Sequence, residues 1–203
     1  MPTGEKTKRV RQMSAADFDL PSDQVAHLLI GAMLLVDGVG GRIVETEAYD
    51  REDPASHSFS GPTARNQVMF GPPGRAYVYR SYGIHWCLNF VCREEGHGAG
   101  VLIRALEPLR RLELMRERRG VDDERLLCSG PGRVGQALGI TSELNGARLD
   151  RSPFQVFAST ERLPVMKGPR IGISKAKEVH WRFGLENSKY LSRKFEKFTS
   201  QPG

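Results

Sequence analysis

Three sets of residues in this chain could do chemistry if folding brought them together. Glu45 and Glu47 lie two apart beside Tyr49 in the stretch RIVETEAY of residues 42–49. Taken as a strand, period two puts Ile43, Glu45, Glu47 and Tyr49 on one face. Two carboxylates on one face beside an aromatic ring are unusual for a core strand, and such groups can serve acid–base chemistry. The ordinary reading stands beside that one: charged residues are mostly exposed, so the glutamates could simply decorate a solvent face. The second set is YVYRSYG of residues 77–83. Tyr77 and Tyr79 share a face, as a packed aromatic pair in a strand would. Tyr82 stands at the bend, where a ring has no core to fill but could wedge between base steps of DNA. The third set is Asn89 and Arg104, polar residues among apolar ones. An amide bonded to neighbouring backbone and a structural ion pair are their ordinary explanations.

The elements that must position these residues can be read coarsely. A helix is expected after Pro21, with Ser22 or Asp23 as cap and Gly31 as its stop. Strands at 32–36 and 41–49 form a hairpin around the turn at 37–40. Residues 50–74 make a long, proline-rich irregular stretch; it contains His57, Arg65 and Asn66, and loops of that length are usually functional or disordered. Strands at 75–79 and 84–92 form a second hairpin with Tyr82 at its tip. A strand follows at 100–106. Pro108 is expected to open a helix running to Arg119. A short helix falls within 128–140, with Val134, Ala137 and Leu138 inward, and further strands at 154–158 and 170–174. Hairpins with interspersed helices argue for a mixed α+β domain.

Composition bounds the answer. The 203 residues carry 30 Lys+Arg against 24 Asp+Glu, a net charge of +6. At 39% hydrophobic residues the chain can build a core and is not of disordered composition. Its longest apolar stretch, 28–36, is broken by Gly31 and too short to span a bilayer. The basic N-terminus lacks an apolar segment behind it, so a secretory signal is not expected. Cys87, Cys92 and Cys128 form no CxxC pair, which argues against a disulfide framework or zinc cage and fits a reducing cytoplasm. There is no Gly-rich phosphate loop, dinucleotide fingerprint or metal-ligand cluster, so no cofactor and no metal are expected. His27, His85, His97 and His180 are scattered and read as structural or surface residues. The basic balance suits a polyanionic partner. Residues 1–14, with Lys6, Lys8, Arg9 and Arg11, are expected to be a flexible basic arm, and 15–203 a single domain. Lys189, Arg193, Lys194 and Lys197 crowd the other end.

Together these pieces resemble the alkyladenine (3-methyladenine, or methylpurine) DNA glycosylase family. The matching segments are GRIVETEAY at 41–49, ASH at 55–57, RN at 65–66, MF at 69–70, YVY at 77–79 and YG at 82–83. CLN at 87–89, VLIRALEP at 101–108, LCSGP at 127–131 and PRIGI at 169–173 complete the set. Their number, order and spacing from about residue 20 to 190 make the resemblance specific.

The resemblance implies a curved, largely antiparallel sheet surrounded by helices, with a protruding hairpin. It implies a monomeric base-excision repair enzyme that flips alkylated or deaminated purines out of double-stranded DNA and hydrolyses the N-glycosidic bond, leaving an abasic site. Glu47 would activate the water. Arg104 and the backbone carbonyl of Ile171 would help hold it. Tyr49, His57 and Tyr79 would stack around the flipped base, and Asn89 at the pocket floor would disfavour guanine. Tyr82 would fill the gap in the duplex. No membrane and no obligate protein partner are implied, and the location would be the bacterial cytoplasm at the nucleoid, or otherwise the nucleus. Ser58 and Phe59 depart from the family, which often carries a basic residue there; Ile84 and His85 beside the wedge also differ. Two rivals stand against this reading. One is a non-catalytic protein that binds damaged bases, which would not need Glu47. The other is a carbohydrate hydrolase using Glu45 and Glu47 as paired carboxylates.

Overall fold

The computed structural model describes residues 11–196. Most of the basic arm, including Lys6, Lys8 and Arg9, and Lys197 at the other end lie outside them. Arg11 lies within, and its guanidinium pairs with Asp17 at 2.7 Å.

The chain opens with α1 (Ala15–Phe18) and α2 (Ser22–Leu28). The α2 cap is Pro21 rather than Ser22 or Asp23, one residue earlier than expected. Strands β1 (Met33–Val36) and β2 (Val39–Tyr49) then form the first hairpin. Asp37 and Gly38 turn it with φ of 49° and 75°, the left-handed pair that matches strand twist. The loop after β2 carries a single short 3-10 turn, Gln67–Phe70. Next come β3 (Ala76–Ser81), β4 (His85–Cys92) and β5 (Ala99–Arg110). Helices α3 (Leu112–Arg119), α4 (Glu124–Leu127) and α5 (Pro131–Leu138) follow, then β6 (Phe154–Phe157), β7 (Val165–Gly168) and β8 (Arg182–Leu185).

All pairings are antiparallel, in the order β3-β4-β5-β2-β1-β6. β2 is the spine: β5 runs along one edge, while β1 takes the first half of the other edge and β8, with β7 beyond it, the second. The sheet curls into a half-barrel, and the domain is α+β. Its main core, including Phe18, Leu34, Ile43, Phe90, Ile103 and Leu106, is fully buried with α2, α3 and α5 against it. α5 lies directly on β4. A side chain at Gly135 would put its Cβ 2.1 Å from the Trp86 carbonyl oxygen, so only glycine permits that approach.

Two expectations fail for local reasons. Pro108 does not open a helix; β5 runs through it to Arg110, and α3 starts at Leu112. Pro108 sits at a register shift, opposite Gly41, where Gly40 pairs with Arg110. A bulge tolerates the missing N–H. Residues 170–174 form no strand. The Ile171 N–H bonds to Glu47 instead of a ladder, and Gly172 turns at φ 76°. The strands that do form nearby, β7 and β8, are four residues each with a glycine in both, and those glycines lie against the Phe195 ring.

Candidate active site

The centre of the site is a pair of opposed bulges. Ile43 pairs with Leu106, Glu45 with Ala105 and Thr46 with Ile103, so Val44 on β2 and Arg104 on β5 have no partner across the ladder. The extra residue reverses the alternation at Val44. Ile43 therefore faces the main core and does not share a face with Glu45, Glu47 and Tyr49 as strict period two required. Val44 instead joins Ala105 and Tyr190 in a small cluster on the other side. The bulge aims Arg104 at both glutamates, a known use of this distortion beside active sites.

Neither glutamate decorates a solvent face: both are 0% exposed. Glu47 Oε2 accepts from the Tyr49 hydroxyl at 2.9 Å and from Arg104 Nη1 at 3.2 Å. Its Oε1 accepts from the Ile171 N–H at 2.7 Å. Ile171 thus holds the carboxylate itself through its amide. Burial pushes the Glu47 carboxyl above the usual carboxylate range. Arg104, the Ile171 N–H and the Tyr49 hydroxyl pull it back, and the charge of Glu45 adds to the rise. Glu45 is engaged differently. It meets Arg104, Arg182 and both donors of Ser192, and it does not line the cleft. Glu47 is not on the wall either, but its three partners Tyr49, Arg104 and Ile171 all are.

Beside Glu47 opens a cleft of about 1010 Å³, whose wall includes Tyr49, His57, Tyr77, Tyr79, Asn89, Arg104 and Ile171. The Tyr77 and Tyr79 rings stack at 5.6 Å, and His57 stands edge-on to Tyr79 at 4.5 Å. His57 Nδ1 and the Tyr77 hydroxyl are 3.2 Å apart. Partial burial and the nearby Arg65 guanidinium hold His57 below its ordinary pKa, and burial pushes the Tyr77 hydroxyl up to about 12. Asn89 is buried, and its Nδ2 donates to the Tyr77 carbonyl at 3.2 Å. The ordinary expectations for Asn89 and Arg104, a backbone bond and an ion pair, are met while both also form the cleft wall.

Tyr82 sits at the mouth of the same cleft, 89% exposed at the tip of the β3–β4 hairpin with φ 49°. Ile84 beside it is 66% exposed. The 55–57 loop is tied in by Asn66, whose Nδ2 donates to the His57 and Gly61 carbonyls. Among the described residues no group of three or more His, Cys, Asp or Glu could hold a metal ion. No described helix is long and apolar enough to cross a membrane.

Several site residues gave no local signal. Arg170 is buried, pairs with Asp53, and places its guanidinium 4.8 Å from the Tyr49 ring centre and 5.5 Å from that of Trp181. It braces the back of Tyr49. Arg182 and Ser192 reach Glu45 across 137 and 147 residues of sequence. Such partners exist only once β8 and the closing segment are in place.

Comparison with known proteins places the chain in a family. The chain matches the family described as methylpurine-DNA glycosylase over residues 16–189. It is 71% identical over 179 residues to a protein of Nitrosospira multiformis, covering 88% of this chain and 93% of that one. It is 58% identical over 187 residues to one of Bradyrhizobium diazoefficiens, covering 92% and 94%, and 60% identical over 186 residues to one of Rhizobium meliloti, covering 91% and 99%. All three carry the name "Putative 3-methyladenine DNA glycosylase".

Proposed function

The chain belongs to the methylpurine-DNA glycosylase family, and from that premise we propose that it flips alkylated or deaminated purines out of duplex DNA and hydrolyses their N-glycosidic bond. The observation that carries this reading is Glu47: a buried carboxylate held by Arg104, Tyr49 and Ile171, three residues that line an aromatic cleft, so that it lies directly behind the cleft wall.

A base stacked in a duplex cannot be attacked and must be extruded, at a cost of a few kcal/mol that damage lowers. Tyr82 fills the gap that the base leaves. The purine enters the cleft between Tyr49, His57 and Tyr79. Alkylation at N3 or N7 makes the purine cationic, which strengthens stacking on electron-rich faces and weakens the bond to the sugar. As that bond breaks, its electron pair stays on the base and positive charge develops on the sugar. Glu47 stabilises this oxocarbenium-like state and takes a proton from water as the water oxygen bonds to C1′. Oε1 accepts one protein hydrogen bond, so it keeps a lone pair for that water. The products are free base and an abasic sugar, and one carboxylate suffices for this single displacement. His57, held below its ordinary pKa, acts as a stacking and hydrogen-bonding ring rather than as the acid. Asn89 at the pocket floor disfavours guanine through its exocyclic amino group. The enzyme works as a monomer and without a lyase step.

The test is Glu47→Gln. General-base catalysis contributes about 10²- to 10⁴-fold, so single-turnover base release from a 7-methylguanine duplex falls by that order while binding of the lesion duplex is kept. Unchanged base release would reject the reading. A protein that only binds damaged bases would show no change in function.

A further inference from the structure

Glu45 is a buried charge that the proposed chemistry does not use. It lies on β2 two residues before Glu47, is not among the residues lining the cleft, and is 0% exposed. Its Oε1 accepts from Arg104 Nε at 3.0 Å, Arg182 Nε at 2.8 Å and Ser192 Oγ at 2.7 Å; its Oε2 accepts from the Ser192 N–H at 2.6 Å. Arg104 Nη2 donates in turn to Ser192 Oγ at 3.3 Å. One guanidinium is thus shared. Arg104 gives Nε to Glu45, Nη1 to Glu47 and Nη2 to Ser192.

Isolating a carboxylate from water is costly unless it is paired and its lone pairs are filled. Here two carboxylates face two guanidiniums, and Glu45 takes four donors. The set includes Ser192, just past the 16–189 stretch that the family match covers. The closing segment is seated independently of that contact. Arg182 lies 3.9 Å from the Phe195 ring centre, and Tyr190 packs on Val44 and Ala105.

We propose that Glu45 is a positioning residue: it fixes Arg104 at the angle that presents Nη1 to Glu47, and Ser192 of the closing segment locks Glu45 in that role. The proposal rests on the reading of Glu47 as the base. It has a consequence that mere structural support would not. The groups facing Glu47 are Tyr49 and Glu45 on β2, Arg104 on β5, the Ile171 N–H, and more distantly Tyr79 on β3. The groups facing Glu45 are Arg104, Arg182 and Ser192. Glu45 therefore repels charge on Glu47 while it holds Arg104 in place. Neutralising Glu45 makes the charged form of Glu47 easier to hold.

The experiment measures single-turnover base release from a 7-methylguanine duplex against pH in the full chain and in Glu45→Gln, Ser192→Ala, Ser192→Thr and Glu47→Gln. Loss of alignment in Glu45→Gln lowers the plateau rate on the order of 10- to 100-fold, and the acidic limb moves to lower pH. Ser192→Ala loses two hydrogen bonds, the one to Glu45 and the one from Arg104, and keeps every charge. Its rate falls about threefold, with unchanged affinity for an abasic-site duplex, and Ser192→Thr restores it. An acidic limb that stays in place in Glu45→Gln, with only thermal stability reduced, overturns the proposal. If Glu45→Gln does not fold, Ser192→Ala decides: a wild-type rate there overturns it. Full base release by Glu47→Gln instead removes the parent reading and this one with it. A dead Glu47→Gln beside an unmoved limb removes this one alone.

Discussion

The Tyr49 hydroxyl donates to Glu47 Oε2 across 2.9 Å, from two residues along the same strand. Both groups are shifted by being buried together. The Tyr49 hydroxyl is pushed far above its ordinary pKa, first by burial and then by the charge of Glu47, so it remains a donor throughout the working pH range. Burial raises the Glu47 carboxyl, and the tyrosine bond partly offsets that rise. Catalysis needs the ionised carboxylate, so activity falls as pH drops through the Glu47 pKa. The acidic limb of the pH profile therefore lies above the ordinary Glu value of about 4.3. Tyr49→Phe keeps the ring and removes the offset, and its acidic limb moves to still higher pH. A pH series of single-turnover rates checks this, and a limb that moved down would contradict it.

The tip tyrosine is held at a conformational cost. Tyr82 adopts φ 49° with its side chain 89% exposed, so the fold gains no buried surface from the ring. The left-handed region costs a residue with a Cβ about 1 kcal/mol. Tyr82→Gly relieves that cost, and the melting temperature stays level or rises. Base release from duplex nevertheless falls, because nothing fills the space of the extruded nucleotide. The loss is larger on a lesion in duplex than on the same lesion in a single strand, where no stacked gap must be filled. Equal losses on both substrates would show that the ring acts elsewhere.

The two tyrosines also show how far sequence reaches. Both hairpins, and Tyr82 at the tip of the second, follow from turn residues and β-branched or aromatic runs. Those signals act over a few residues. Alternation put Glu47 and Tyr49 together but also put Ile43 on the wrong face, and bringing Arg104 to them needed the resemblance. The bulges at Val44 and Arg104 that correct it arise from pairing two strands about 60 residues apart, as the Arg104 to Glu45 separation of 59 shows. Pro108 misled for the same reason: a missing N–H marks a helix start in isolation and a bulge once β5 lies beside Gly41. Arg182 and Ser192 gave no signal at all, and Arg170 only as one letter of the PRIGI match. Their partners lie more than 100 residues away in sequence, and nothing in a lone arginine or serine says which carboxylate it will meet.

His57 is held below its ordinary pKa of about 6.5, first by partial burial and then by Arg65. It is neutral at pH 7, and its protonation begins only at a lower pH than for a free imidazole. A histidine depressed in this way resists protonation in the folded state, so stability falls as pH drops below the unfolded value. Arg65→Gln removes the second cause and raises the His57 pKa while leaving the first. Ring ¹H–¹⁵N chemical shifts followed through a pH titration test both statements. An inflection at or above the free value in the unaltered protein would restore His57 as a candidate acid for neutral lesions.

Lys175 supplies the last test, of the step that follows base release. It is exposed at the rim of the cleft, where it contributes a lysine amine to the cleft wall. Attack by that amine would join its nitrogen to C1′ as a Schiff base and lead on to strand cleavage. The proposed reaction instead adds water oxygen at C1′, guided by Glu47, and stops at an intact abasic strand. Borohydride added during turnover on a 7-methylguanine duplex should then trap no covalent protein–DNA adduct. Gel analysis without alkali should show no nick. Lys175→Ala should release base within about twofold of the unaltered rate, as exposed charges away from the reacting atoms contribute little. A trapped adduct that Lys175→Ala abolished would replace water with the amine and make the enzyme bifunctional.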